Sequence, residues 1–433
     1  MSGFQSPRGL RDLLEPLASA HGWATDRAWA AADAAGYARI ELPIAEESAL
    51  FERAVGGTSD IVSKELYRLE PRGDDAVTLA LRPEATAGAV RAYIQHGMRS
   101  QPQPVRLATV AQLFRYDRPQ KGRYRQFTQF DIEAIGDGGP GIDLEVIEMG
   151  AAYLRDLGLT DVQVHLNSVG CTTCRPAYGC TTCRPAYVET LRAHFTPVVQ
   201  ELSQVDQSRL ATNPLRLLDS KEPATVKRAA SAPAITDHLC ADCAAHHAAV
   251  TTGLATIGVA VLPAPRLVRG LDYYTRTAWE YLLPGEQGQQ GALGGGGRYD
   301  GLVELLGGTP TPGIGFAIGI DRVVLALEAR GLLPIAASGP AIVVAGIEPE
   351  SVAERVAIAA QLRAAGASAR ADVSTRKIGK QLEGAVRDGA LAVIIVEPDG
   401  RLTLRDLVKA SQAEPAERGG VIAAVLRLVQ NEG

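Results

Sequence analysis

Two strand-like runs with an arginine-rich loop between them restrict this chain more than any other feature. Val105–Tyr116 and Phe127–Ile135 are rich in β-branched and aromatic residues, and together they predict an antiparallel hairpin with a long loop. In the second run, FTQFDIEAI, strand alternation places Gln129, Asp131 and Glu133 on one face and Phe130, Ile132 and Ala134 on the other. One face is a row of hydrogen-bonding groups. The other belongs in a core. The window Leu113–Phe127 between them holds five basic residues (Arg115, Arg118, Lys121, Arg123 and Arg125), one acid (Asp117) and four aromatics. Guanidinium groups interleaved with aromatic rings suit phosphate pairing and stacking on bases.

The rest of the chain divides around this hairpin. A helix is expected from Leu17 to Ala35, stopped by Gly36, followed by a short edge strand at Arg39–Pro43. TLALRP reads as a strand that turns into the helix ATAGAVRAYIQH. Residues 170–260 are Ala-rich and helical in pattern, an insertion into the main domain. The stretch 266–283 returns to strand character, and Gly313–Ile320 forms a further strand that runs into a helix at Asp321. Residues 334–340, bounded by prolines, read as a linker. Beyond it, AIVVAGI and LAVIIVEP are continuous apolar strands separated by helical segments, which predicts a small α/β domain over 341–433 with a largely parallel sheet. The glycine run in GALGGGGRYDG has neither dinucleotide-binding nor P-loop spacing, and is expected to turn tightly or pass close to a ligand.

Composition places the chain among ordinary soluble proteins, at 46% hydrophobic and 21% charged residues. No secretory signal or membrane-length apolar run is evident, which gives a cytoplasmic expectation with no membrane partner. The net charge of −5 does not exclude a nucleic acid, since basic surface is needed only where phosphates dock. Three CxxC pairs occur: Cys171/Cys174, Cys180/Cys183 and Cys240/Cys243. The first two lie in a tandem copy of CTTCRPAY, so duplication explains one pair without a metal role. A Cys₄ structural zinc site is compatible with the spacing but not favoured.

Two further arginines call for an anion. Arg269 sits in the aromatic strand LVRGLDYYT, where an unpaired buried guanidinium is costly. Arg322 falls in the first turn of a helix, where the dipole disfavours a cation.

Taken together, these segments resemble the class II aminoacyl-tRNA synthetases. The helix leading into YARIELP is similar to motif 1, with Pro43 at a dimer interface. FRYDRPQKGRYRQFTQFDIEAIG is similar to motif 2, and PGIGFAIGIDRVVLAL to motif 3. Within that class, LRPEAT, LVRGLDYYT and GGGGRYDGLVELLGG resemble the histidyl-tRNA synthetases, of subclass IIa, and STRKIGKQL resembles their anticodon-binding domain. The resemblance implies an α+β class II synthetase catalytic domain over 1–333, an antiparallel sheet flanked by helices with the 170–260 helical insertion. It also implies a C-terminal α/β anticodon-binding domain over 341–433. The implied substrates are L-histidine, ATP with Mg²⁺, and a histidine-specific tRNA. The implied assembly is a homodimer, and no DNA partner is implied.

Roles follow position by position from the same resemblance. Arg115 would contact the α-phosphate, Arg322 the far phosphates, and Arg123 both ATP and tRNA. Glu84 and Thr86 would hold the amino acid's ammonium side. Gln129 and Arg269 would flank the carboxylate and α-phosphate. Glu133, Tyr273 and Tyr274 would surround the imidazole, whose ring donor and ring acceptor a carboxylate and a phenol can both satisfy. Arg376, Lys377 and Lys380 would meet the tRNA backbone. The sequence departs from the pattern at Ala85, usually glycine, and at Asp131, usually a small residue. Two other functions compete: the paralogous regulatory subunit of ATP phosphoribosyltransferase, and a class IIa synthetase for another amino acid.

Overall fold

In the computed structural model, residues 4–432 are described apart from 57, 58, 60, 71–76, 171–182, 213, 219, 221, 268–272, 286–290 and 335–340. The chain separates into two compact units, Met1–Pro334 and Ile335–Gly433.

In the first unit the sequence folds locally for readable reasons. Helix α1 (Leu17–Ala34) buries Ala20, Ala24, Ala28 and Ala32, one residue per turn, so a narrow alanine stripe brings its backbone close to the sheet. It ends where Gly36 takes φ +73° and the Tyr37 amide reaches back to Ala32 O, a Schellman closure. Next come β1 (Ala38–Arg39), β2 (Ala45–Glu47), α2 (Ser48–Val55), β3 (Leu79–Leu81) and α3 (Thr86–Gln95). The long hairpin is β4 (Val105–Phe114) and β5 (Gln126–Ile135), paired antiparallel from Val105↔Ile135 to Phe114↔Gln126. Helix α4 (Pro140–Asp156) and β6 (Gln163–Ser168) lead into α5 (Cys183–Phe195), α6 (Gln204–Thr212), α7 (Pro223–Ala229) and α8 (Ala241–Thr256). The unit then returns through β7 (Val261–Pro263), β8 (Thr275–Leu282), β9 (Ala292–Arg298), α9 (Leu302–Leu305), β10 (Gly313–Gly319) and α10 (Ile320–Ala329).

Among the described residues β2 pairs separately with β3, and the other eight of these strands form one sheet, ordered β1-β4-β5-β10-β9-β8-β6-β7. Its interior pairs are antiparallel, and only the edge strands β1 and β7 pair in parallel. Phe130 and Ile132 of β5, Phe316 of β10 and Trp279 of β8 pack with α1, α4 and α10 in the largest core. Helix α8 also belongs to that core through Val250 and Leu254, although it lies within the 170–260 stretch. The separate helical core is smaller, built by Tyr187, Leu191, Phe195, Leu210 and Leu217. A buried ion cluster fastens α8 to the sheet. Arg298 of β9, fully buried, donates to Asp143 at 2.7 Å and to Gly139 O at 2.6 Å, and His246 of α8 lies 3.0 Å from the same carboxylate. Burial opposes the Asp143 charge, but His246 and Arg298 outweigh it and hold the carboxyl below its usual range.

Two local expectations need correction. The glycine run does not turn; it is β9, inside the sheet. A Cβ at Gly296 would stand 2.2 Å from Gly315 O and 2.6 Å from the Trp279 ring, and one at Gly297 would meet the Tyr274 ring at 2.5 Å. The glycines make room for large rings on neighbouring segments. Of the strand character expected over 266–283, residues 268–272 lie outside the described residues and β8 accounts for Thr275–Leu282. Neighbours in a regular strand face opposite ways, but Tyr273 and Tyr274 precede β8 and join the same buried cluster. A register shift between Thr275 and Ala278, with Arg276 at φ +49°, breaks the period there.

The second unit contains β11 (Ile342–Gly346), α11 (Val352–Ala364), β12 (Ala369–Ala371), α12 (Ile378–Arg387), β13 (Ala392–Val396), β14 (Leu402–Asp406), β15 (Ser411–Gln412) and α13 (Arg418–Glu432). Its sheet, β12-β11-β13-β14-β15, is parallel over the first three strands and antiparallel beyond. Ile342, Val344, Ile394 and Val396 pack on one face and Val343, Ala345, Val393 and Ile395 on the other, which is why these strands read as unbroken apolar runs.

Gly296→Ala is expected to destabilise the first unit by about 2–3 kcal/mol, because the added methyl meets backbone and a buried indole that cannot withdraw. The urea midpoint should fall without a change in m-value. A midpoint equal to wild type would refute the packing account.

Candidate active site

The polar face of β5 enters a pocket closed by the start of α3 and by three tyrosines. Glu84, 4% exposed, sits one residue before the N-cap of α3, and its carboxylate accepts the Ala87 amide at 3.0 Å. It therefore caps the helix as well as facing the pocket. Thr86 opens the helix, and its hydroxyl lowers the pKa of Glu84, of Glu133 and of the Tyr273 phenol against the effect of burial. Glu133 accepts the phenolic proton of Tyr299. Opposite Glu133 on β10 is Gly315, where a Cβ would lie 2.1 Å from the carboxylate oxygen, so that motif-3 glycine is required by the acid across from it. Tyr273 packs against Tyr274 at 4.8 Å and edge-on to Tyr299 at 6.0 Å.

Asp131, 2% exposed, and Glu133, 3% exposed, are both pushed well above the usual carboxylate range, chiefly by burial; Glu84 is raised for the same reason. Gln129 shares their face, half-buried, between Ala111 and Gly319. Three acids on one side suit a cationic or zwitterionic ligand.

Beside the acids is a basic wall built by the hairpin. Arg115 donates to Pro83 O at 2.8 Å and stands over the Phe127 ring at 5.3 Å. Burial lowers its pKa, opposed by Glu65 and Glu84. Arg123 pairs with Asp117 at 3.0 Å. Arg322, in the first turn of α10, donates to Gly122 O at 3.1 Å and to Ala292 O at 2.7 Å. It thereby ties the hairpin loop to the start of β9, and carbonyl dipoles help it tolerate a helix N-terminus. Its neighbour Asp321 accepts Arg11 at 2.6 Å and the Thr128 amide at 2.7 Å. Arg11 also stacks on Tyr124 at 3.8 Å, and Arg125 on Tyr116 at 3.7 Å. The hairpin loop is thus held at several points by segments remote in sequence.

The structure brings together Glu84, Thr86, Gln129, Glu133, Tyr273, Tyr274 and Arg115. Arg322 and Arg123 lie on the hairpin side. Arg269 falls outside the described residues, as do Cys171, Cys174 and Cys180. Arg376, Lys377 and Lys380 lie in the second unit at the start of α12, where Arg376 pairs with Asp372 at 3.1 Å and Lys380 with Glu383 at 2.6 Å. Sequence reasoning missed Tyr299, Arg11 and Asp321. Tyr299 stood within the quoted GGGGRYDG segment, but only long-range pairing shows what its hydroxyl meets.

An antiparallel sheet flanked by helices, with an arginine hairpin facing a strand–helix arginine, is the catalytic architecture of the class II aminoacyl-tRNA synthetases. A family profile described as histidyl-tRNA synthetase matches residues 9–323. The chain is 42% identical over 419 residues to a histidine–tRNA ligase of Dehalococcoides mccartyi, covering 95% of this chain and 96% of the relative. It is 43% identical over 414 residues to that of Moorella thermoacetica, covering 94% and 95%. The crystal structure of apo S. aureus histidyl-tRNA synthetase superposes with a TM-score of 0.79 at 32% identity, over 98% of this chain and all of the other. The chain belongs to the histidyl-tRNA synthetase family.

The buried acids carry a stability consequence with a definite sign. Glu133 has a raised pKa in the folded state, so the unfolded chain gives up that proton at lower pH. Folding is therefore favoured below the unfolded value of about 4.3 and is progressively opposed as pH rises above it. Glu133→Gln keeps an acceptor for Tyr299 and is expected to be more stable than wild type at pH 7–8. The gap should close as pH falls toward about 4. Denaturant titrations across that range test this; a variant less stable than wild type at neutral pH would contradict it.

Proposed function

We propose that this chain activates L-histidine with ATP and transfers the histidyl group to the 3′-terminal adenosine of its tRNA. The observation that carries the reading is the buried pocket in which Glu84, Thr86, Glu133, Tyr273 and Tyr299 meet beside Arg115. Such a pocket suits an ammonium, an imidazole with its two nitrogens, and a phosphate at one edge. Relatives at 42–43% identity named histidine–tRNA ligase support the same activity.

In the first step a histidine carboxylate oxygen attacks the α-phosphorus of ATP, and pyrophosphate leaves. In the second, the tRNA 3′-hydroxyl attacks the adenylate carbonyl and AMP leaves. Glu84 and Thr86 hold the ammonium, while Glu133, Tyr273 and Tyr274 hold the imidazole. Gln129 and Arg269 flank the carboxylate and α-phosphate. Arg115 meets the α-phosphate, Arg322 the far phosphates, and Arg123 the nucleotide and the acceptor end. Mg²⁺ accompanying ATP would supply further charge neutralisation to the phosphates that Arg115 and Arg322 face. Pairing both imidazole nitrogens rejects apolar isosteres far better than shape alone. Positioning and preformed charge supply most of the rate.

We also assign residues 1–333, with the 170–260 insertion, to the catalytic domain and 341–433 to anticodon binding through Arg376, Lys377 and Lys380. The functional unit is a homodimer in the cytoplasm. Among the described residues no helix is long and apolar enough to cross a membrane. One solved structure named as an ATP phosphoribosyltransferase regulatory subunit/histidyl-tRNA synthetase, from Bacillus halodurans, shares the fold at a TM-score of 0.63 and 24% identity.

ATP–pyrophosphate exchange with each amino acid in turn decides between that regulatory role and catalysis. Exchange is expected with histidine alone, and Arg269→Ala should reduce it on the order of 10²–10³-fold. No exchange with any amino acid would refute the proposal. Near wild-type exchange in Arg269→Ala would remove that residue from the mechanism.

Truncation after Leu333 separates the two units' roles. Exchange should survive, whereas aminoacylation should fall much further and the residual tRNA binding should depend less steeply on salt, since phosphate contacts are lost. An unchanged ratio of the two activities would show that 341–433 does not bind tRNA.

A further inference from the structure

One buried acid in the pocket has no work in the scheme above. Asp131 lies on the same face of β5 as Gln129 and Glu133 and is 2% exposed. Its Oδ2 has no hydrogen-bond partner among the described residues. Leaving a buried carboxylate oxygen unpaired is costly, so this one calls for a donor that the described residues do not supply. The other two acids are engaged: Glu84 accepts the Ala87 amide through both oxygens, at 3.0 and 3.3 Å, and Glu133 accepts Tyr299.

A structural counter-ion is the ordinary explanation for such an acid, and Arg82 is the neighbour that would supply it. Its guanidinium, however, donates to the carbonyls of Gln112, Leu42 and Pro43, and its hydrogen bonds hold the β3–α3 turn against β4. It makes none with Asp131. Asp131 lies between Gln129 and Glu133 on the polar face of β5, and its charged neighbours are Glu84, Arg82, Arg115 and Glu133. Across from it on β10 is Ala317 and on β4 Thr109, neither of which brings a charge.

We propose that Asp131 is an additional amino-acid-binding residue, whose free carboxylate oxygen receives the α-ammonium group of the substrate opposite Glu84. The assignment rests on the amino-acid pocket proposed above and deepens it. Two carboxylates then bracket the ammonium, and discrimination falls on the charged amine and not on the imidazole ring. A charge-assisted hydrogen bond of this kind is worth about 1.5–3 kcal/mol, or roughly 10- to 150-fold in affinity.

The test is calorimetric binding of two probes to the intact protein: L-histidine, and imidazole-4-propionate, which has the same ring and carboxylate but no amine. Asp131→Asn, close in shape but uncharged, is expected to bind L-histidine about 10- to 100-fold more weakly than wild type, with imidazole-4-propionate unchanged or tighter. Asp131→Ala, which removes the group altogether, should show the same selective loss. Equal weakening for both probes would mean that Asp131 shapes the pocket or serves the ring, and would overturn the proposal. Unchanged L-histidine binding in both variants would overturn it as well. Failure of wild type to bind L-histidine would refute the pocket assignment itself, a result distinct from a selective failure at Asp131.

Discussion

The structure depends on keeping carboxylates out of water on one face of a strand that is otherwise core. Strand β5 holds Phe130 and Ile132 in the main hydrophobic cluster while Asp131 and Glu133 point the other way and are just as buried. Such a strand is stable only if the surrounding elements supply donors and leave room. Tyr299 supplies a donor to Glu133. Gly315 leaves room, because any side chain there would collide with Glu133. The glycine-rich β9 follows from the same crowding: bulky aromatics on β8 and beside the pocket need flat neighbours.

A second consequence is electrostatic. The acids are held in a low-dielectric pocket and lean toward their neutral forms, so ligand charge brought to them interacts strongly. The arginines beside them are already anchored by carbonyls and rings, as Arg115 is on Pro83 O and Arg322 on Gly122 O and Ala292 O. Donors set before the substrate arrives need little reorganisation during reaction, which is where charge stabilisation gains its strength. Arg11 and Asp321 extend this order to the hairpin loop by joining the N-terminal segment, the loop and α10.

Much of this was legible in the amino-acid order, because it rests on short periods. Alternation in FTQFDIEAI separated the polar and apolar faces of β5. Gly36 marked the end of α1. Unbroken apolar runs marked a sheet covered on both sides. The motif segments carried the family resemblance, and residues they hold (Glu84, Thr86, Glu133, Tyr273 and Arg115) meet in the structure. What depended on a regular period failed where the period broke: Tyr273 and Tyr274 come together because the register shifts at Thr275–Ala278. The tight turn expected of the glycine run failed because four glycines look alike whether they make a turn or face a tryptophan.

The sequence by itself therefore determined the elements, the faces of β5, the division near residue 334 and the residue types gathered for chemistry, since each is set by neighbours within a few positions. Only the tertiary structure decided which groups meet. Tyr299 reaches Glu133 across 166 positions and Arg11 reaches Asp321 across 310. Arg82 turns to carbonyls, and Asp131 Oδ2 has no hydrogen-bond partner among the described residues. Pairing of that kind is set by the sheet order that brings β5, β10 and β9 side by side, and sheet order is a property of the whole chain's packing that no local window contains.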